Sequence, residues 1–340
     1  MAKCIRVPRS EAEKARRTVI DAGMLDLDYR IGSEDGFILI PVKGDVDGYE
    51  TAEAELRPQE RHITDYREAV KGIPDGLRGS LPSSFDIVGD IIIMKFPDEL
   101  VPYESNIGEA LLEATPNIRA VFSDGGVKGE FRIRELNRIA GKGDAVTIHK
   151  ENGVRLKTDP SVVYFNPRLS GERARVASLV RPGEVVIDMF AGVAPFGCVI
   201  CRNSRADRVY SIDLNPECLP FAEENARLNK IDNLFPMTGD STVIIKGLPP
   251  ADRIVMNLPQ MADAFLPDAL AHIKPEGTVH MHMVLERDEV EDYKKSITDR
   301  MAEKGFAIRI ESCIELKNYS PTKGVYVFDI RPARSDVLGP

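Results

Sequence analysis

The sequence contains no tryptophan, and only five cysteines and five histidines among its 340 residues. An odd number of cysteines without a second closely spaced pair argues against a disulfide framework or a four-cysteine zinc site. Cys198 and Cys201 have C-x-x-C spacing, but they fall in a predicted helix, where packing is the more typical role. His280 and His282 would share one side of a strand, which is more typical of packing or an edge strand than of a metal site. We therefore expect no metal centre.

The sequence also lacks a run of 18 apolar residues, which argues against a membrane-spanning helix. Residues 1–6 do not have the apolar stretch of a secretory signal peptide. With 43% hydrophobic and 29% charged residues, the composition is typical of a globular protein, and 340 residues are enough for two or three domains. We expect a cytoplasmic protein that does not enter a membrane.

An excess of positive charge is absent as well, because the formal net charge is −9. This argues against nucleic-acid binding through bulk charge. Two stretches are nevertheless basic: residues 124–157 have eight Lys or Arg against five acids, and residues 166–181 have four Arg against one Glu. A solvated helix face is the plain explanation of either stretch alone. Because both precede the segment described next, we favour a phosphate-bearing substrate.

Residues 185–197 form the most informative pattern, an apolar strand followed by a small-residue turn and a helix. In an open α/β sheet, ligands bind beyond the carboxyl ends of the strands, and Asp188 ends this one. Ala191, Gly192 and Ala194 would let the backbone approach a ligand closely. The turn lacks the G-x-G-x-x-G pattern of pyrophosphate binders. The segment therefore predicts a site for a nucleotide-like ligand without a pyrophosphate.

Three later strand-like segments also end in polar residues. Asp213 ends the first, where doubly wound folds bind ribose hydroxyls. Asp240 follows the second and could accept a hydrogen bond from an adenine amino group, and Asn257 follows the third within Asn-Leu-Pro. A ligand with ribose and adenine but no phosphate fits S-adenosyl-L-methionine, and the series that starts at Asp188 resembles class I methyltransferases. For any one acid alone, a strand-end cap is an equal alternative.

The sequence predicts an α/β fold in which a Rossmann-like class I methyltransferase domain follows two smaller α+β domains. A segment rich in Gly, Pro and Ser at 71–84 predicts a linker. It would separate a small N-terminal module, 1–70, from a second α+β domain, 85–160, with the methyltransferase domain at 161–340.

Within the first module, Ser10 and Glu13 have the spacing of a capping box, which predicts a helix that ends near Gly23. Alternating apolar residues at 25–31 and 37–40 then predict a β-hairpin.

The chain resembles the archaeal and eukaryotic tRNA (guanine-N1)-methyltransferases, which act at tRNA position 37 beside the anticodon. The resemblance spans nearly the whole chain and rests on five segments in the family's order, namely 84–90, 131–136, 164–173, 188–196 and 256–259. It implies that S-adenosyl-L-methionine is the methyl donor and that tRNA is the partner. It further implies that the first module reads the tRNA elbow and that the second domain helps to hold the tRNA. A chain with its own tRNA-binding module has no evident need of a second subunit, so we expect a monomer.

Guanine N1 carries a proton near neutral pH, so its methylation needs a base for that proton and a donor for the charge that grows on O6. The resemblance implies that Glu172 is the general base and that Arg132 polarises O6. Asn257 would present its amide to the purine or the cofactor, with Pro259 stiffening the turn. The alternative for Glu172 is an acid at a helix N-terminus, and for Arg132 a surface arginine.

The resemblance also implies the set of residues that hold the cofactor. Phe190, Asp213 and Asp240 would hold adenosine, with Tyr164 and Arg168 lining the approach. The full predicted set is Asp188, Phe190, Gly192, Asp213, Asp240, Asn257, Pro259, Tyr164 and Arg168.

One departure from the family concerns Ala194, where many relatives have glycine, and its Cβ would clash if the turn needed a positive φ. Two other functions stay open. An aminocarboxypropyl transferase of wyosine biosynthesis uses the same cofactor, although Asn-Leu-Pro favours methyl transfer. A non-catalytic RNA-binding protein on the same fold is the second, although Glu172, Arg132 and Asn257 argue against it.

Overall fold

The computed structural model describes residues 2–26, 28–57, 65–129 and 131–333. The chain forms two compact units, Met1–Ala69 and Val70–Pro340. The larger unit contains both the segment predicted as a second small domain and the predicted methyltransferase domain.

The first unit is a four-stranded antiparallel sheet, in the order β2-β3-β1-β4, with one longer helix packed on it. Its elements are β1 (Ala2–Pro8), α1 (Ala12–Asp21), β2 (Gly32–Glu34), β3 (Phe37–Pro41), β4 (Thr51–Ala54) and α2 (Tyr66–Ala69). The apolar face of α1, with Ala15 and Val19, packs on Ile5, Val7 and Ile40 of the sheet. Burial of these side chains is what holds so small a unit together.

The predicted hairpin exists with its second strand in the predicted place, but its first strand lies further along the chain. Asp35 and Gly36 both have positive φ, which matches the two-residue turn that joins twisted antiparallel strands. The first strand is therefore β2 rather than 25–31, a segment in which Leu25 forms only an isolated bridge to Val42 and Leu27 lies outside the described residues.

The predicted capping box was wrong. Glu11 is the N-cap of α1, and no described side chain accepts a hydrogen bond there. The backbone N–H of Glu11 instead donates to the carbonyl oxygen of Pro8 at 2.9 Å. This turn places Ser10 one residue before the cap, too early to bond the Glu13 amide. Gly23, with φ of +68°, follows the helix as predicted.

The larger unit begins with a second four-stranded sheet, in the order β5-β6-β7-β8, and a hairpin formed by β9 and β10. The elements are β5 (Asp86–Val88), β6 (Ile91–Met94), α3 (Glu104–Ala114), β7 (Ala120–Lys128), β8 (Ile133–Gly141), β9 (Thr147–Glu151) and β10 (Val154–Thr158). Gly89, with φ of +57°, lies in the turn between β5 and β6.

The rest of the unit is a seven-stranded sheet with helices on both faces, in the order β13-β12-β11-β14-β15-β17-β16. Its elements are α4 (Ser170–Leu179), β11 (Val185–Asp188), α5 (Pro195–Asn203), β12 (Arg208–Asp213), α6 (Cys218–Asn229), β13 (Leu234–Thr238), α7 (Ser241–Ile244), β14 (Ala251–Met256), α8 (Ala262–His272), β15 (Ile273–Glu286), α9 (Val290–Glu303), β16 (Ile308–Asn318) and β17 (Lys323–Pro332). Only β17 runs antiparallel to both of its neighbours.

The strand order reverses between β11 and β14, which are parallel neighbours in the middle of this sheet. Two apolar cores lie around it, one built on Val186 and Phe196 and the other on Ile187 and Phe328. In a doubly wound sheet, the point of reversal opens a crevice at the carboxyl ends of the strands. Asp188 ends β11 at that point.

Candidate active site

The turn after β11 passes through two residues in the left-handed region. Gly192 has φ of +55° and Ala194 has φ of +60°. A Cβ on Gly192 would stand 3.2 Å from the carbonyl oxygen of Tyr164, so this glycine is needed for space as well as for its conformation. The turn does need a positive φ at Ala194, which costs an alanine roughly 1–2 kcal/mol. No clash results, because its methyl group packs in the buried core.

Two carboxyl groups end the adjacent strands β11 and β12. Asp213 accepts hydrogen bonds from the backbone N–H groups of Gly192, at 2.6 Å to Oδ2, and of Asn215, at 2.9 Å to Oδ1. Asp188 is fully buried, and its Oδ2 has no hydrogen-bond partner among the described residues. Burial raises the pKa of Asp188 to about 8. The charge of Asp213 adds to this rise, whereas the hydrogen bond from the Phe190 N–H opposes it. Burial likewise raises the pKa of Asp213.

A cavity of about 250 Å³ lies in front of these strand ends. Eight of the eleven predicted site residues line it: Arg132, Tyr164, Phe190, Gly192, Asp213, Asp240, Asn257 and Pro259. The other three, Asp188, Arg168 and Glu172, lie outside its lining. The fold therefore brings together residues that are up to 127 positions apart in the chain, from Arg132 to Pro259.

The residues present fit an adenosine that carries a sulfonium group. The rings of Phe190 and Phe265 meet edge to face, with centroids 5.1 Å apart, and offer an apolar wall. The Asp213 carboxylate can accept hydrogen bonds from ribose hydroxyls, and carboxylates nearby favour a positively charged ligand. The unsatisfied Oδ2 of Asp188 is a buried polar atom for which the protein supplies no partner, as expected where a ligand or a water binds.

Asp240 caps a helix and also lies at the edge of the cavity. It is the N-cap of α7, where its Oδ1 accepts hydrogen bonds from the N–H and the hydroxyl of Thr242, each at 2.8 Å. These bonds lower the pKa of this exposed carboxyl. The same side chain lines the cavity, so capping fixes a carboxylate at its edge.

Arg132 lies immediately before β8 with φ of +56°, a strained conformation for an arginine. Its guanidinium donates a hydrogen bond to Oε1 of Gln260, and Nε2 of Gln260 donates to the hydroxyl of Tyr319 at 3.2 Å. All three residues line the cavity. The arginine is thus held across the cavity by residues far along the chain and is not a simple surface residue.

Sequence reasoning missed Gln260 and Tyr319, together with Asn166, Phe265 and Lys317, which also line the cavity. One signal was present, because Gln260 directly follows Asn-Leu-Pro.

Arg168 forms an ion pair with Asp86 of β5, at 2.7 Å, instead of entering the cavity lining. Arg134 of β8 contacts the other oxygen of the same carboxylate at 2.8 Å. Burial alone would raise the pKa of Asp86, but hydrogen bonds from the two arginines outweigh it and hold the pKa below its usual value. Arg168 therefore joins the sheet that contains β5 to the start of α4.

Lys317, which lines the cavity, has a lowered pKa. Burial is the main cause, and the charge of Arg168 is the second.

Glu172 lies in the first turn of α4 and is 5% exposed. The guanidinium of Arg175 binds both of its oxygens, at 2.7 and 2.8 Å. Burial would raise the pKa of Glu172, but the hydrogen bonds from Arg175 outweigh this effect and hold the pKa below the usual range. Arg175 also binds both oxygens of Asp329 on β17, at 2.8 and 3.0 Å.

The two histidines of β15 are fully buried. His280 contacts Asp329 at 2.5 Å and Arg253 at 2.7 Å. Nδ1 of His282 lies 3.3 Å from the carbonyl oxygen of Met256, the residue before Asn257. Of the two expected roles, the edge strand was wrong, because β15 pairs with strands on both sides. Both histidines are packed in the interior, where they also contact ionisable groups.

Cys198 and Cys201 lie in α5 as predicted, and both are free thiols. Burial raises the pKa of Cys201 to about 12 and raises that of Cys198 as well, so neither favours a thiolate. In the described ranges, no group of three or more His, Cys, Asp or Glu is placed to hold a metal ion. Nor does the described part of the chain have a helix with the length and apolar character to cross a membrane.

The doubly wound sheet, the carboxylates at its strand ends and the cavity between them define an S-adenosyl-L-methionine-dependent methyltransferase of class I. Three family models match the chain: the TRM5/TYW2 methyltransferase domain at 147–311, the TYW2 N-terminal domain at 66–144 and the tRNA methyltransferase 5 N-terminal domain at 4–50.

Individual relatives match over almost the entire chain. The tRNA (guanine(37)-N(1))-methyltransferase Trm5b of Pyrococcus abyssi is 42% identical over 97% of this chain and 99% of its own. The crystal structure of that organism's Trm5b has a TM-score of 0.80, with 98% of this chain and 100% of that one covered. A structure of a complex of aTrm5 and tRNALeu has a TM-score of 0.82 at 32% identity, and covers 97% of this chain and 99% of that one. The chain belongs to the Trm5 family of tRNA methyltransferases.

A second branch is also similar. The tRNA(Phe) (4-demethylwyosine(37)-C(7)) aminocarboxypropyltransferase of Pyrococcus horikoshii is 30% identical over 82% of this chain and 98% of its own.

Proposed function

We propose that this protein transfers the methyl group of S-adenosyl-L-methionine to N1 of guanosine 37 in tRNA. The observation that carries the proposal is the full-length similarity to tRNA (guanine(37)-N(1))-methyltransferases, at 42% and 34% identity. The cavity at the carboxyl ends of β11, β12 and β14, which fits the methyl donor, supports it. When bound, the donor supplies a methyl group carried by a sulfonium sulfur, and the rest of the donor leaves as a neutral thioether.

The proposed cofactor-binding residues are those that line the cavity beside the strand ends, with Asp188 behind them. Asp213 would hold the ribose hydroxyls and Asp240 the adenine amino group, while Phe190 contacts the purine. Gly192 would allow the backbone to approach the ligand, because a side chain there has no space. Methyl transfer by this arrangement depends mainly on positioning the two reactants.

On the guanine side, Arg132 would donate to O6, where negative charge grows during the reaction. Its contact with Gln260 supports this function, because it aims the guanidinium across the cavity. Asn257 and Tyr164, which line the same cavity, would also contact the base. Pro259 would fix the local backbone, and its carbonyl oxygen accepts a hydrogen bond from the Val284 N–H at 2.7 Å. A guanine in an anticodon loop must leave its stack to enter such a cavity, as in other base-modifying enzymes.

Glu172 is the proposed general base for the N1 proton. It lies behind the cavity rather than in its lining, close to the end of β14 through His282 and Met256. Catalytic contacts are often long in the free enzyme and form only with substrate bound. The proposal therefore requires that guanine binding brings the carboxylate and N1 together, directly or through one water.

The remaining expectations stay predictions. We propose that the module at 1–70 and the domain at 85–160 hold the tRNA, that 71–84 links them, and that 161–340 performs the chemistry. Arg168 would act through its ion pair with Asp86 rather than on the cofactor. A cytoplasmic monomer is the expected form, and light scattering of the free protein would test the oligomeric state.

The first experiment compares methyl transfer from labelled S-adenosyl-L-methionine to unmodified tRNA transcripts with guanosine or adenosine at position 37. We expect transfer only to the guanosine transcript, and a rate loss of at least about 100-fold in Glu172→Gln. Glu223→Gln, an exposed acid of α6, is the matched control. Methylation of the adenosine transcript would place the target elsewhere. Transfer of label from the carboxypropyl carbons instead of the methyl group would establish the aminocarboxypropyl alternative, and binding without any transfer would establish the non-catalytic one.

A further inference from the structure

His282 lies between two hydrogen-bond acceptors. Nδ1 is 3.3 Å from the carbonyl oxygen of Met256, and Nε2 is 3.5 Å from Oε1 of Glu172. Of these two contacts, only the one to Met256 has hydrogen-bond geometry, and a carbonyl oxygen can only accept, so the ring proton of the neutral histidine belongs on Nδ1. Nε2 then directs a lone pair towards the carboxylate. Consistent with this, Nε2 has no hydrogen-bond partner among the described residues although the side chain is fully buried.

The charged groups around this contact leave room for one more proton. Glu172 faces Arg175 from its own helix and His282 from β15, and Arg175 in turn binds Asp329 from β17. Nδ1 of His280, also on β15, lies 3.5 Å from Arg175.

Beyond these groups, Arg253 of β14 is paired with Glu184 at 3.0 Å, and α5 contributes only the uncharged ring of Phe196, 5.9 Å from that of His282. With both histidines neutral, the cluster of Glu172, Asp329, Glu184, Arg175 and Arg253 has three negative and two positive charges. One additional proton would bring this charge from −1 to zero, so the cluster can hold a transferred proton without acquiring a net positive charge.

We propose that His282 is the second proton acceptor of the methyl transfer, and that it takes from Glu172 the proton that leaves guanine N1. This inference rests on the proposed function of Glu172. The N1–H bond breaks, its electron pair stays on N1 and forms the bond to the methyl carbon, and the proton moves to Oε1 of Glu172. The proton then moves to the lone pair of Nε2, which restores the carboxylate and makes His282 an imidazolium that donates from both nitrogens. Sulfur keeps the electron pair of the bond that breaks, so nothing is oxidised or reduced.

The physical need for such a partner comes from Arg175. A carboxylate held in a guanidinium fork is stabilised as an anion and is a weak base. A neighbouring nitrogen lone pair that accepts the proton removes this disadvantage, while the two hydrogen bonds from Arg175 to Glu172 stay in place. Without His282, the proton would have to stay on a carboxyl group whose surroundings favour the ionised form.

Two substitutions separate proton acceptance from simple positioning. In His282→Asn, the amide can still donate to Met256 but no longer reaches Glu172. In His282→Gln, the longer amide can donate to Glu172 and hold it, but it cannot take up a proton at these pH values. His280→Asn is the control for the removal of a buried histidine from the same face of β15. Single-turnover methyl transfer to the guanosine-37 transcript is measured from pH 6 to 9, with the affinities for tRNA and cofactor determined separately.

We expect both substitutions at 282 to lower the single-turnover rate at pH 7 at least tenfold, with the loss shrinking as pH rises because solvent base and N1 ionisation then assist. Cofactor and tRNA affinities should stay within about twofold of wild type. Recovery of the wild-type rate and pH dependence by His282→Gln would show that the residue only positions Glu172 and would overturn the proposal. A rate loss of the same size and pH dependence in His280→Asn would also overturn it.

A measurement without substrates gives an independent readout. In protein labelled with ¹⁵N-histidine, the 282 and 280 signals are assigned from the variants that lack each residue. Glu172→Gln should change the Nε2 signal of His282 and leave that of His280 in place, since only Nε2 of 282 faces this carboxylate. An unchanged Nε2 signal would contradict the coupling, and one folded variant at 282 is enough to assign that signal. If wild-type protein methylates no guanosine, the proposed function fails; if it does and the 282 variants match it, only this inference fails.

Discussion

The backbone N–H of Gly192 donates a hydrogen bond to Oδ2 of Asp213 across 2.6 Å. The bond fixes the turn after β11 against the end of β12, so one carboxylate both shapes the cavity and lines it. Asp213→Asn replaces the charged carboxylate by an uncharged amide. The amide N–H cannot accept the hydrogen bonds that Gly192 and Asn215 now donate, and the amide oxygen is a weaker acceptor than a carboxylate oxygen. A hydrogen bond to a charged group contributes about 1.5–3 kcal/mol. We therefore expect S-adenosyl-L-methionine to bind at least about tenfold more weakly.

Calorimetric titration of the free protein measures this affinity. Asp207→Asn is the matched control, because Asp207 is an exposed acid just before the opposite end of β12. Unchanged affinity in Asp213→Asn would show that the carboxylate serves the turn alone.

The buried carboxyl of Asp188 predicts a pH-dependent stability. Its pKa of about 8 in the folded protein lies well above the ordinary value of about 3.9 expected for the unfolded chain. Below pH 4, both states are protonated and nothing is lost; as pH rises towards 8, only the unfolded state gains by ionising, so the folded state loses stability. Asp188→Asn removes this loss. We expect the difference in free energy of unfolding between variant and wild type to grow by about 2 kcal/mol or more between pH 4.5 and 8. One group can change this free energy by at most 1.36 kcal/mol per pH unit, which sets a limit of about 5 kcal/mol over this range.

Urea unfolding of both proteins at pH 4.5, 6 and 8 provides the comparison. Asp292→Asn, at an exposed acid of α9, controls for the loss of one carboxylate. A constant difference between variant and wild type over this range would mean that Asp188 is ionised in the folded protein.

Arg132→Lys keeps the positive charge but removes the planar fork that reaches Gln260. If Arg132 stabilises charge on O6, the single-turnover rate should fall about 100-fold, as when one such donor is removed in other enzymes. Cofactor affinity should not change, because the cofactor is assigned to other residues of the cavity. Arg202→Lys at the exposed end of α5 is the control. A proportional loss of cofactor affinity would assign Arg132 to the cofactor instead.

Ala194→Gly tests whether the departure at this position affects the protein. Glycine would relieve left-handed strain of roughly 1–2 kcal/mol. It would also lose a buried methyl group, about 0.8 kcal/mol, and gain freedom in the unfolded chain, about 0.4–1 kcal/mol. The contributions nearly cancel, so we expect the free energy of unfolding to change by less than about 1 kcal/mol. Chemical denaturation measures it. A loss above about 2 kcal/mol would show that the Ala194 methyl group is essential to the packing of α5.

The strand-end residues could be predicted from sequence because each belongs to a local pattern. An apolar run followed by an acid marks a buried strand and its carboxyl end, and parallel strands bring their carboxyl ends to one edge of the sheet. Asp188, Asp213, Asp240 and Asn257 followed from this rule alone. The shifted hairpin and the misplaced cap of α1 failed for the opposite reason, because the turn at Pro8 and the chirality of the Asp35-Gly36 turn decided both boundaries.

The contacts of Glu172 could not be predicted from any local pattern. Arg175 is one helical turn away and was a possible partner, but His282 and Asp329 lie more than 100 residues further along. Their approach depends on how α4 packs on β15 and β17. The same is true of Gln260, which meets Arg132 only when β8 is placed against the end of β14, and of Tyr319, which accepts a hydrogen bond from Gln260.

The class of fold, the edge of the sheet at which the site lies and the cofactor that suits it follow from the amino-acid order alone, because they depend on periodicity and on residue types at strand ends. Three features depend instead on contacts between distant segments: which side chains share the cavity, which acid an arginine holds behind it, and the buried ionic cluster that two histidines join. Burial and pairing of ionisable groups depend on contacts between distant segments, and those contacts set the protonation states on which the chemistry depends.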